Sequence, residues 1–242
     1  MFDFFKKQAV PPPNLEVDIH SHLIPGVDDG VQSFQKSIDL IQKFVEIGHK
    51  KIITTPHIMS DFYKNSESDL MKIYQELVVK LKEEKVEVTL ELGAEYYLDE
   101  YLLERIENPE EKFLTFGKNY MLFETSFMNE PFYLKDFIFK AKSRGINPIL
   151  AHPERYSYLI GNDELIEDLV NRELLLQLNI NSLAGYYSKQ VKSLAEKLID
   201  KKLISFIGSD CHNLKHFEVL QTARSTKYYH KVMALPLKNY EL

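Results

Sequence analysis

Short runs rich in aliphatic, aromatic and β-branched residues recur along the chain at 15–20, 51–55, 86–92, 120–124, 147–151, 174–179 and 203–207. Their length and composition predict seven strands. Between them lie longer segments whose apolar residues return at helical spacing, predicting helices over 33–47, 67–84, 98–106, 132–144, 163–171 and 189–200, with Ser33 and Ser188 as N-caps and Gly48 and Gly145 as stops. Strand and helix in alternation demand a mostly parallel α/β sheet, either open and doubly wound or closed as a barrel. Pro11, Pro12 and Pro13 favour a stiff extended segment ahead of the first strand. Residues 1–14 therefore read as an N-terminal arm and residues 15–242 as a single domain, since no internal repeat of 20–50 residues and no Gly/Ser linker divides them.

Composition narrows the class without changing that outline. With 242 residues, 44% hydrophobic and 27% charged, the chain can bury a sizeable core and is neither disordered nor collagenous. A net charge of −6 argues against a protein that coats nucleic-acid phosphates. The longest stretch free of charge, Leu174 to Ser188, contains Gln177, Asn179 and Asn181 and is too short and too polar for a membrane span. The opening MFDFFKK places Asp3 inside its apolar patch and lacks the long apolar run of a secretory signal, so a cytoplasmic protein is expected. Cys211 is the single cysteine, which excludes an intramolecular disulfide and leaves nitrogen and oxygen to hold any metal.

Several common catalytic motifs are missing. No two glycines lie two positions apart, no Walker A loop is present and no histidine precedes a glutamate. Cys211 has Phe217 rather than an arginine six positions on, so the phosphate-cradling loop of cysteine-dependent phosphatases is absent. What remains is a constellation of histidines and carboxylates. His20 and His22 end the first predicted strand on one side of the chain. His57, Glu95, Glu124 and His152 each follow a later strand, Asp210 and His212 follow the last, and Asp29 in the loop PGVDDG can bend back over the same rim. The carboxyl ends of parallel strands are where α/β barrels build their active sites. Nine such ligands exceed what one ion needs, so two or three ions are expected.

The segments DIHSHLIPGVDDG, TPH at Thr55–His57, GAE at Gly93–Glu95, FET at Phe123–Thr125, AHPER at Ala151–Arg155 and SDCHN at Ser209–Asn213 occur here in one order. In them the chain, from Leu15 to Asn213, resembles the PHP (polymerase and histidinol phosphatase) superfamily. Within it, PGVDDG together with HPER resembles the PHP-type protein-tyrosine phosphatases of bacterial capsule and exopolysaccharide gene clusters. The resemblance implies a distorted seven-stranded, TIM-like β/α barrel carrying three divalent ions, manganese first, with iron or zinc as alternatives. It implies one ion on His20, His22, Glu95 and Asp210, a second on Glu95, Glu124 and His152, and a third on Asp29, His57 and His212. Arg155 resembles the phosphate-binding arginine of those enzymes. Their further arginine beyond the D-x-H-N segment is replaced by Leu214-Lys215-His216-Phe217, where Lys215 is the candidate substitute, lacking the planar fork.

The chemistry expected of such a cluster is attack on phosphorus by an activated water without a phosphoenzyme. A phenolate of pKa about 10 leaves more readily than an alkoxide, which favours phosphotyrosine. Tyr96, Tyr97, Tyr156, Tyr158, Tyr186 and Tyr187 fall in predicted loops at the catalytic rim, where some would stack on the substrate ring, although for each alone ordinary packing is the commoner role. The resemblance implies a phosphotyrosyl protein as partner, the tail of a membrane-bound tyrosine kinase controlling polysaccharide export. Two alternatives stay open: a small-molecule phosphatase of the histidinol-phosphate type, and a non-catalytic phosphotyrosine-binding scaffold.

Overall fold

The computed structural model describes residues 12–242, so residues 1–11 of the expected N-terminal arm lie outside the described residues. Parallel strands alternate with helices as the sequence pattern requires: β1 (Val17–Asp18), α1 (Phe34–Glu46), β2 (Lys51–Thr54), β3 (His57–Ile58), α2 (Glu67–Glu83), β4 (Thr89–Leu92), β5 (Glu95–Tyr97), α3 (Glu100–Glu107) and β6 (Tyr120–Glu124). Then follow α4 (Leu134–Ser143), β7 (Asn147–Ala151), α5 (Asp163–Asn171), β8 (Leu175–Asn179), α6 (Lys189–Asp200), β9 (Phe206–Gly208), α7 (Leu214–Arg224) and α8 (Lys227–Met233). Ser33 and Ser188 cap α1 and α6 by accepting from the amides of Lys36 and Val191. Gly48 and Gly145 follow α1 and α4 in the left-handed region, at φ 100° and 71°.

The strand count differs from expectation, and the difference shapes the site. Two short strands outside the expected ranges, β3 beyond 51–55 and β5 beyond 86–92, bring the count to nine, in two parallel sheets, β1-β2-β4 and β3-β5-β6-β7-β8-β9. Pro56, which has no amide to donate, follows β2, and Gly93-Ala94 separates β4 from β5. Beyond each break the chain pairs again as β3 with β5, setting His57 directly opposite Glu95.

Among the described residues no ladder closes a seven-stranded ring. Beyond the carboxyl ends of β1 and β9 lies an isolated parallel bridge, Ser21 to Cys211, and Ser209 donates from its amide and hydroxyl to the Asp18 carboxylate. Lower down, the Asn239 side chain fills the gap: its Nδ2 donates to Val17 O (3.0 Å) and Ile207 O (2.8 Å), and its Oδ1 accepts from Ile207 N (3.0 Å). One buried amide thus satisfies backbone groups that a ladder would otherwise pair.

The strands bury both faces, as parallel sheets must. An outer core packs Phe44, Leu77, Phe137, Leu169 and Leu198 of the helices against the sheets. An inner core of Ile19, Ile53, Phe116, Tyr120, Leu122, Ile149, Ala151 and Phe206 fills the space enclosed by the strands. On β6 the inward alternation runs Tyr120, Leu122, Glu124, so the apolar plug gives way to a carboxylate at the strand's carboxyl end.

Candidate metal centre and active site

All nine predicted ligands meet at the carboxyl ends of the strands, and eight of them are buried or nearly so. Their delivery is not uniform. His152 and Asp210 each follow a strand in the left-handed region, at φ 36° and 48°. Non-glycine residues occupy that region at a cost, and such strain clusters at functional sites.

Glu95 is the hub. Its Oε2 lies 3.1 Å from His20 Nε2, and 3.3 Å from both His22 Nε2 and His57 Nδ1; its Oε1 lies 3.0 Å from His152 Nε2. Asp210 Oδ1 stands 3.4 Å from His20 Nε2 and 3.5 Å from His22 Nε2. Asp29 Oδ1 stands 3.6 Å from His57 Nε2 and 3.4 Å from His212 Nε2. Glu124 Oε1 is 3.4 Å from His57 Nδ1, and its Oε2 is 3.9 Å from His152 Nε2. Four groups of these side chains bring three or four donor atoms within 4.8 Å of one another.

The far side of each ring decides which nitrogen faces inward. Gln177 Oε1 accepts from His20 Nδ1 (2.8 Å), Asp28 Oδ2 from His22 Nδ1 (2.8 Å), and Asp210 O from His212 Nδ1 (3.0 Å). Each bond keeps the proton on Nδ1 and turns the Nε2 lone pair toward the cluster, the arrangement that metal-ligating histidines use. Asp28 also accepts from the amides of Gly30 and His57, which ties the PGVDDG loop to β3. Gly30 has to be glycine, because a Cβ there would sit 2.2 Å from His22 O.

Without a cation the cluster conflicts with itself. His20 Nε2 and His22 Nε2 face each other at 3.3 Å, a lone-pair contact that needs a proton or an ion between them. Burial and the neighbouring Glu95 carboxylate push Glu124 well above the usual carboxylate range. Burial opposes charge on Glu95 and Asp210 as well, yet the surrounding histidines, His20 first, hold both well below that range. Burial brings His57 and His152 down to about 4, and the Nδ1 atom of each is buried without a hydrogen-bond partner among the described residues. Crowded carboxylates, the neutral imidazoles of His57 and His152 and the facing ring nitrogens of His20 and His22 together fit divalent cations.

Arg155 follows His152 on a short 3₁₀ turn, Pro153–Arg155. Its guanidinium lies between two rings, 4.7 Å from the centroid of Phe127 and 4.5 Å from that of Tyr187, and its Nη1 donates to Asp210 Oδ2 (2.9 Å). Asn179 Nδ2 donates to the same Asp210 oxygen (2.8 Å) and to the Tyr187 hydroxyl (2.8 Å). Arg155, Phe127 and Tyr187 line a cleft of 380 Å³ over the cluster, with Met59, Tyr63 and His216 on its other sides.

Lys215 is not among the residues lining that cleft. Its Nζ stands 5.9 Å from the Tyr186 ring, while its neighbour His216 reaches the cleft and sets Nδ1 3.2 Å from Asp210 O. Of the six expected rim tyrosines, only Tyr187 lines the cleft. Tyr96 and Tyr156 are core residues: the Tyr96 hydroxyl donates to Glu67 and accepts from Leu114 N, and that of Tyr156 accepts from Thr125 N. Tyr63, not singled out in the sequence, stacks on His57 with ring centroids 5.3 Å apart. Gln177, Asn179 and Asp28 are the positioning residues that sequence reasoning missed. Gln177 and Asn179 carried a signal, as polar residues two apart inside the apolar run 174–179.

The close packing beneath His20 gives a test. A Cβ on Gly208 would come 2.8 Å from His20 Cβ and 3.0 Å from Gln177 Nε2. Gly208→Ala is expected to cost about 1–3 kcal/mol of stability through overpacking and to weaken metal binding by displacing the His20–Gln177 pair. Thermal unfolding and metal titration of the variant check both effects.

The profile of the family described as capsular polysaccharide synthesis, CpsB/CapC, matches residues 16–231. The chain is 30% identical over 230 residues to the putative tyrosine-protein phosphatase CapC of Staphylococcus aureus, covering 93% of this chain and 90% of that one. It is 31% identical over 199 residues to the tyrosine-protein phosphatase YwqE of Bacillus subtilis, covering 82% of this chain and 78% of that one. Solved structures of YwqE from Bacillus subtilis and CpsB from Streptococcus pneumoniae, described as metal-dependent tyrosine phosphatases, include a match with a TM-score of 0.79 at 28% identity over 89% of each chain.

Proposed function

The chain belongs to the CpsB/CapC family of capsular polysaccharide synthesis, and on that premise we propose that it is a metal-dependent protein-tyrosine phosphatase. The observation that carries this reading is the convergence of nine nitrogen and oxygen ligands beneath an arginine-bearing, aromatic-walled cleft. His20, His22, Glu95 and Asp210 would hold one divalent ion, Glu95, Glu124 and His152 a second, and Asp29, His57 and His212 a third, with manganese foremost. When bound, these ions supply a water nucleophile at neutral pH and offset the charge of the phosphate.

The remaining roles belong to the chain. Arg155 turns from Asp210 to two phosphate oxygens, a bidentate contact that its planar fork suits. Phe127 and Tyr187 hold the guanidinium in plane, and with Tyr63 they wall the cleft against water where the substrate's aryl ring enters. A phenolate leaving group requires no strong acid from the protein. Cys211 takes no part: it is buried in the outer core, its Sγ donates to Asn213 O, and burial pushes its thiol up. With β2 and β3 counted as one strand and β4 and β5 as another, the strands follow the course of a distorted seven-stranded barrel left unclosed between β9 and β1, in a single domain over 15–242. No helix among the described residues is long and apolar enough to cross a membrane. The substrate is the phosphorylated tail of a membrane-bound tyrosine kinase, met from the cytoplasm.

The test compares a phosphotyrosyl peptide with histidinol phosphate on manganese-loaded protein, alongside Cys211→Ser. Preferred turnover of the peptide, kept within about twofold in the variant, is expected. Preference for histidinol phosphate, or loss of activity in Cys211→Ser with intact metal content, overturns the reading.

A further inference from the structure

A second concavity opens beside the catalytic cleft. Its volume is 490 Å³, it is lined by Val31, Lys36, Asp39, Leu40, Lys43 and Leu214, and it meets the cleft at His212, which borders both. Lys36 and Lys43 are seven residues apart on α1 and share one face, about 10 Å apart along the axis. Three residues of extended chain span about that distance. Neither lysine joins an ion pair among the described residues, whereas Asp39 between them accepts from Gln35 (2.8 Å). The floor is apolar: Leu40 is buried, and Leu214, at the first turn of α7, is 50% exposed with its side chain on the groove.

We propose that this groove binds the segment flanking the phosphotyrosine of the protein substrate, and that it selects an apolar residue set among acidic ones. The inference rests on the phosphatase reading and adds a substrate class to it. A small phosphate ester occupies the cleft alone and leaves the groove empty. A peptide whose phosphotyrosine reaches the metal centre has to leave the cleft over its rim, and at His212 that rim opens onto the concavity where Leu40 and the Gln35-bound Asp39 carboxylate lie between the Lys36 and Lys43 ammonium groups. Carboxylates on the peptide then meet Lys36 and Lys43, and an aliphatic side chain between them covers Leu40 and Leu214.

The test measures binding and turnover separately. Two peptides carry the same central residue, either phosphotyrosine or its non-hydrolysable phosphonomethyl analogue. One has Glu and Leu in the flanks; the other has Gln and Ala at the same positions. On manganese-loaded wild type, the acidic phosphonate peptide is expected to bind about tenfold tighter at low salt, with the advantage shrinking as salt is added. In the Lys36→Glu/Lys43→Glu variant, which changes one exposed and one half-buried side chain of α1, that advantage should vanish or reverse. Its kcat/KM for p-nitrophenyl phosphate should stay at the wild-type value. Equal affinity of wild type for the two peptides overturns the groove proposal, as does a variant that weakens both peptides and p-nitrophenyl phosphate alike. Failure of wild type to hydrolyse either phosphotyrosyl peptide overturns the phosphatase reading instead, while the phosphonate affinities still decide the groove.

Discussion

Glu95→Gln is expected to lower turnover of a phosphotyrosyl peptide by more than about a thousandfold, equivalent to about 4 kcal/mol of transition-state stabilisation. The side chain is buried, and four imidazole nitrogens, from His20, His22, His57 and His152, stand 3.0 to 3.3 Å from its two oxygens. Glutamine keeps the volume and removes the charge. It also turns an amide N–H₂ toward at least one lone pair that the carboxylate leaves free for a cation. The variant should therefore fold, with its circular dichroism and cooperative melt retained, yet carry fewer ions per chain by elemental analysis. Chelation of wild type should produce the same loss reversibly, with Mn²⁺ restoring activity; in Glu95→Gln the same addition should restore little. Full metal content and full activity in the variant would show that Glu95 is only a structural hydrogen-bond acceptor.

Much of this site was legible because ligand residues follow predicted strands, and parallel strands deliver their carboxyl ends to one rim. The six first helices, the two serine caps and the gathering of nine histidines and carboxylates at one rim needed only local pattern. What was hidden depended on contacts between distant segments. The pairing of His57 with Glu95 requires β3 and β5, strands of two and three residues, too short to leave a periodic signal. Asn239, which takes the place of a β9–β1 ladder, lies 222 residues from its partner Val17. Helices α7 and α8 lie past the last motif, in a stretch whose apolar pattern is weak, and were not anticipated. The exchange of Lys215 for His216 in the cleft is a matter of helix phase. Asn213 caps α7 by accepting from His216 N, and that start point turns residue 216 inward and residue 215 toward Tyr186.

Arg155→Lys isolates the phosphate contact from the ions. Lysine keeps the positive charge but has neither the flat face that fits between Phe127 and Tyr187 nor the fork that grips two oxygens. Asp210, which loses the arginine, keeps its bond from Asn179 and its position against His20 and His22, so the metal ligands should not move. The expected result is a kcat/KM lowered by about a hundredfold, the scale of one preorganised charge-assisted contact, with wild-type metal content and melting temperature. Inhibition by inorganic phosphate should weaken in parallel, since the product presents the same oxygens as the transferred group. If inhibition by phosphate keeps its wild-type strength while turnover falls, Arg155 acts by orienting Asp210. If both are unchanged, Arg155 lies outside the reaction, and anion recognition rests on the metal centre and the cleft's other polar side chains, Tyr63, Tyr187 and His216.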